Sequence, residues 1–82
     1  MHMQNTNDIL AKLEEIFEDT FFDGEFNFSI ELTSDDVEEW DSLAQIRLLT
    51  NIEKEFGFQF DITQIEDLKS VRALTEAIAE KI

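Results

Sequence analysis

The stretch Trp40-Asp41-Ser42-Leu43-Ala44-Gln45-Ile46-Arg47-Leu48-Leu49-Thr50-Asn51-Ile52-Glu53-Lys54-Glu55-Phe56-Gly57 decides how the chain folds. At about 100° per residue, Leu43, Ile46, Leu48, Leu49, Thr50, Ile52 and Phe56 sweep an arc of roughly 220°. This periodicity predicts a helix from near Ser42 to about Phe56, with Asp41 as N-cap and Gly57 as its stop. Ala44, Arg47, Asn51 and Lys54 fall on the opposite, polar arc. A helix facing one bundle needs an apolar stripe only a little over ~100° wide. This helix is therefore apolar beyond the needs of its own packing. Either Leu43, Ile46 and Thr50 enter the core, or they form an exposed edge.

Upstream, no helical period holds from Glu25 to Asp41. Phe26, Phe28, Ile30 and Leu32 alternate with Asn27, Ser29 and Glu31, a pattern that reads locally as a strand. A lone strand with no partner is unstable, and the other segments read as helices. The better expectation is an extended, partly buried loop with its apolar side chains pinned to the helices. Its roughly seventeen residues are unusual for a compact domain and hint at a functional role. Before it, Asp23-Gly24 breaks a helical segment running from about Thr6 to Phe21. Ile9, Leu13, Ile16, Phe17 and Thr20 share one face there, with Leu10 and Phe21 beside it. Thr6, Asn7 or Asp8 can cap its start.

Downstream, Phe58 and Phe60 flank a short extended connection. Asp61 or Thr63 can cap a brief helical turn carrying Ile62, Ile65 and Leu68. Ser70 caps a last helix with Val71, Leu74, Ile78 and Ile82 on one face. The expected fold is all-α: three longer helices, one short helix and a long first loop.

Composition bounds the function. Eighty-two residues make one small domain, whose core is thin. Twenty acidic residues against six basic ones give a net charge of −14. That disfavours nucleic acid, whose phosphates are met by Lys and Arg, and anionic membranes likewise. Strong acidity can signal disorder, but 43% hydrophobic content and eight Phe argue for folding. The absence of cysteine excludes disulfides and suits a reducing cytoplasm. No run is long enough to span a membrane, and no signal peptide is visible. Met1-His2-Met3 has the look of an expression remnant, which leaves no histidine for a nucleophile pair. No catalytic residue is expected. Metal sites fare no better: an EF-hand begun at Asp19 puts Phe21 at position three and Ile30 at position twelve, and fails.

The order and spacing of these elements resemble the acyl carrier protein family over roughly Ile9 to Ile82. The features that carry the resemblance are a helix, a long loop, and Asp41-Ser42-Leu43 opening a helix with Ile46 and Leu49. Ile52-Glu53-Lys54-Glu55-Phe56-Gly57 then ends that helix, and Ser70-Val71 introduces the closing one. The carrier domain is expected over residues 6–82, behind a disordered N-terminus of residues 1–5. The resemblance implies that a phosphopantetheinyl transferase moves 4′-phosphopantetheine from coenzyme A onto the Ser42 hydroxyl. The arm's thiol would hold acyl or aminoacyl groups as thioesters, loaded by one enzyme and passed to a downstream acyltransferase or synthase. Such a carrier is expected to be a cytoplasmic monomer and not an enzyme. Asp41, Leu43, Ile46, Arg47 and Thr50 become candidates for recognition by the transferase and later partners.

The pattern departs from its relatives in one respect. Fatty-acid carriers commonly place carboxylates two and five residues after the serine, where this chain has Ala44 and Arg47. Together with Trp40 before Asp41-Ser42-Leu43, this resembles specialised discrete carriers more than housekeeping fatty-acid carriers. The densely placed phenylalanines suggest a short or polar cargo. The rival reading is an acidic helical interaction module in which Ser42 is never modified.

Overall fold

The computed structural model describes residues 6–21 and 26–81. The expected disordered N-terminus, the Asp23-Gly24 break and Ile82 lie outside the described residues, as does the side chain of Ile62. The described chain forms α1 (Thr6–Thr20), α2 (Ser42–Phe56) and α3 (Val71–Lys81), with short 3₁₀ elements at Ser34–Asp36 and Ile62–Asp67. This is the all-α bundle of three longer helices and one short element, at Ile62–Asp67, that the periodicity predicts; the 3₁₀ turn at Ser34–Asp36, inside the long loop, was not expected.

Each helix is cut where its chemistry cuts it. On α1, Ile9, Leu13, Ile16, Phe17 and Thr20 are buried, the face expected from their spacing, and the helix packs against both α2 and α3. Gly57 stops α2 with φ 78°, and its N–H reaches Glu53 O at 2.8 Å. Nothing lies within 4 Å of where a Cβ would stand, so the left-handed backbone, not space, is what favours glycine there. Ser70 opens α3: its Oγ accepts the Ala73 N–H at 3.0 Å, which satisfies a first-turn donor. Val71, Leu74, Ala77 and Ile78 then enter the core.

The long loop is extended, and no strand forms in its described part. Phe26, Phe28 and Ile30 are half-buried and Leu32 is buried, while Asn27, Ser29 and Glu31 face solvent. The alternation therefore has the expected cause: one side of an extended chain lies against the helices. Phe28 meets the Phe17 ring edge-on at 5.3 Å, and Phe26 does so at 6.1 Å. An isolated antiparallel bridge joins Thr33 to Ser70. It is flanked by Ser34 N–H to Lys69 O and Val71 N–H to Leu32 O, each 2.9 Å. The loop's last third supplies Val37 and Trp40 to the core, and Trp40 stands edge-on to Phe17 at 5.2 Å. Burying an aliphatic or aromatic side chain of this size contributes about 1.5–3 kcal/mol. The loop is thus held by its own apolar residues, and it delivers the chain to the start of α2.

Candidate functional site

Asp41 sits in extended conformation as the N-cap of α2, and its Oδ1 accepts the Ala44 N–H at 2.9 Å. Its carbonyl accepts the Gln45 N–H at 2.8 Å, closing the first turn. Ser42 is the first residue of the helix and is exposed. The N–H groups of a first helical turn have no carbonyl a turn earlier to reach. With the positive end of the helix dipole they favour an anion by about 0.3–1 kcal/mol when exposed. The Ser42 hydroxyl therefore stands in the open, at the helix end most tolerant of a new negative charge.

A buried polar clamp holds this corner. Trp40 Nε1–H donates to Gln45 Oε1. Gln45 Nε2 donates in turn to Ile65 O at 2.7 Å and Leu68 O at 2.8 Å. An indole N–H can only donate and a carbonyl can only accept, so one amide satisfies all three groups. Gln45 is 2% exposed, and no buried side-chain N or O among the described residues lacks a partner. The loop before Ser42, the first turn of α2 and the 3₁₀ turn at Ile62–Asp67 are locked together. Sequence reasoning missed Gln45. Its one signal was position: it lies at i−3, i−4 and i−7 from Leu48, Leu49 and Ile52, inside the apolar stripe.

The wide apolar arc of α2 resolves into two faces. Ala44, Gln45, Leu48, Leu49 and Ile52 are buried. Leu43 and Ile46 are 68% and 56% exposed, and Arg47 and Thr50 are exposed beside them. Ala44 thus corrects the expectation that it lies on the polar arc: at 5% exposure it belongs to the core. A small residue and an amide carry little apolar signal, so the spacing of the larger residues alone does not show that Ala44 and Gln45 face the core. The predicted recognition residues Leu43, Ile46, Arg47 and Thr50 share one open stripe leading away from Ser42 and Asp41. Thr50 turns its hydroxyl back to Ile46 O at 2.9 Å.

Elsewhere on α2, Glu55 accepts a hydrogen bond from Lys12 Nζ at 2.7 Å. That hydrogen bond, and then the glutamate's charge, push the lysine's pKa above its ordinary value. Among the described residues no group of His, Asp or Glu could hold a metal ion, and no helix is long and apolar enough to cross a membrane.

Residues 29–78 match the family model described as a phosphopantetheine attachment site, so the chain belongs to that family of carrier proteins. A domain of this class is non-catalytic: it bears 4′-phosphopantetheine covalently, is modified by a phosphopantetheinyl transferase and meets the enzymes of its pathway. No curated protein matches the chain. The corner at Ser42 suits the group, combining an open hydroxyl with the amide-rich end of a helix. The Asp41 carboxylate is already engaged by Ala44 N–H.

Proposed function

We propose that Ser42 is the attachment residue and that the chain carries acyl or aminoacyl groups for a dedicated biosynthetic pathway. The observation that carries this reading is the exposed Ser42 at the first turn of α2, inside the segment matched to the attachment-site family. When bound, the arm supplies the thiol that a chain without cysteine lacks.

The chain's own residues divide the remaining work. Asp41 caps the helix and keeps the serine at its open end, where the transferase recognises it. Leu43, Ile46, Arg47 and Thr50 form the surface against which the transferase, the loading enzyme and the downstream acyltransferase or synthase dock. Trp40 and Gln45 hold that surface in place. A pathway other than housekeeping fatty-acid synthesis is supported by Arg47, an exposed cation where fatty-acid carriers have a carboxylate. Ala44 carries less of that argument, because its site is buried and a small apolar residue suits it. The aromatic cluster of Phe17, Phe21, Phe26, Phe28 and Trp40 occupies the bundle between α1 and the loop. A short or polar cargo fits such a filled interior. The carrier works as a cytoplasmic monomer that visits its enzymes in turn.

The test is an intact mass after incubation with coenzyme A and a broad-specificity transferase. A gain of one phosphopantetheine in the wild type, absent from Ser42→Ala, is the expected result. No gain with several transferases would turn the reading to an unmodified interaction module.

A further inference from the structure

The charges on the open stripe of α2 have the opposite sign to the protein as a whole. Six cations stand against twenty carboxylates in the chain, yet two of the six, Arg47 and Lys54, lie on this stripe. At about 100° per residue, Leu43, Arg47, Thr50 and Lys54 fall in a narrow row, with Ile46 beside it. All five are exposed. The carboxylates of the same helix are held elsewhere. Glu55 is paired with Lys12 at 2.7 Å, and Glu53 accepts the Phe60 N–H at 2.9 Å. Neither Arg47 nor Lys54 forms an ion pair with any described residue, whereas Lys12 and Arg72 do. Upstream of the stripe, Glu38, Glu39 and Asp41 lie on the other side of Ser42, in the loop and at the cap.

The distances make this local pattern count. Arg47 and Lys54 are two turns apart, about 10.5 Å along the helix, while charges beyond roughly 8 Å are largely screened at physiological ionic strength. A docked partner therefore feels the groups it touches more than the distant −14. Exposed cations at an interface rim favour carboxylates opposite them and disfavour other cations.

Resting on the carrier reading above, we propose that the pathway enzyme docking on α2 offers an apolar hollow for Leu43 and Ile46, rimmed by Asp or Glu side chains facing Arg47 and Lys54. An enzyme with a Lys- or Arg-rich rim, the partner that the net charge alone would select, is disfavoured at this face.

The experiment uses the phosphopantetheine-bearing chain and one carrier-dependent acyltransferase in two forms. One form keeps a natural Lys/Arg rim around its channel mouth, and in the other those residues are replaced by Glu. Association rates are measured at low salt for the wild type, for Arg47→Glu/Lys54→Glu, and for Arg72→Glu/Lys81→Glu, which makes the same change of net charge on α3. The wild type should associate about tenfold faster with the Glu rim. Arg47→Glu/Lys54→Glu should reverse that order, and Arg72→Glu/Lys81→Glu should preserve it. Faster association of the wild type with the Lys/Arg rim, or equal reversal by both double variants, overturns the proposal. The mass spectrum of each sample separates the two readings. If the wild type accepts the arm but shows no rim preference, the partner assignment alone falls. If it never accepts the arm, both fall. Circular dichroism checks that each variant keeps its helices.

Discussion

Replacing Gln45 with methionine keeps nearly the same length and volume but removes every hydrogen bond of the clamp. Trp40 Nε1–H loses its acceptor, Gln45 Oε1, and the carbonyls of Ile65 and Leu68 lose a donor. The three losses are unequal. The Ile65 carbonyl also accepts the Leu68 N–H at 3.3 Å, so it keeps a partner. The orphaned indole, 5% exposed on Trp40, and the Leu68 carbonyl carry most of the cost. At roughly 1–3 kcal/mol per buried orphan, offset in part by methionine packing, Gln45→Met should destabilise by about 2–4 kcal/mol. For a domain this small that lowers Tm by roughly 10–25 °C. The assay is urea unfolding followed both by helical circular dichroism and by the fluorescence of Trp40, the sole tryptophan. A double-mutant cycle with Trp40→Phe should find that removing the indole costs less in the Gln45→Met background, because its acceptor is already gone. A loss under about 0.5 kcal/mol, the range of ordinary surface substitutions, would refute the clamp. So would additivity in the cycle.

Further outcomes follow from the same geometry. Asp41→Ala removes the cap on Ala44 N–H and should cost about 1 kcal/mol, while Asp41→Asn should keep most of it; equal losses in thermal melts would mean that charge rather than capping holds the turn. Leu43→Ala and Ile46→Ala should leave Tm within a few degrees, because both side chains are mostly exposed, yet weaken association with the transferase or a loading enzyme. A large drop in Tm would return them to the core. Gly57→Ala should cost about 1 kcal/mol, since φ is 78° and an L-residue pays for that conformation even in open space. At net charge −14, added NaCl or Mg²⁺ should raise Tm by screening self-repulsion, and a flat midpoint would show that repulsion is not limiting.

Much of the molecule was legible in one dimension because its determinants are local. The i, i+3, i+4 spacing of Ile9, Leu13, Ile16 and Phe17 defines α1. Ser70 and Gly57 are cap residues whose chemistry acts within a turn. The alternation of Phe26 to Leu32 predicts an extended loop pinned to helices, and the structure agrees. What stayed hidden depends on neighbours distant in sequence. The burial of Ala44 follows from how α2 is rotated against the bundle, and no helical wheel fixes that angle when small and amide residues share the apolar face. Gln45 reaches carbonyls twenty and more residues away, so its role has no local signature.

The sequence by itself determined that residues Trp40 to Gly57 form a capped helix with Ser42 at its open end and more apolar surface than packing requires. Only the tertiary structure decided which apolar residues are spare. Burial of Ala44, Gln45, Leu48, Leu49 and Ile52 against the core turns Leu43, Ile46, Arg47 and Thr50 outward. The rotation of a helix about its axis is set by the sum of its contacts with the other elements, and not by any property of the helix alone.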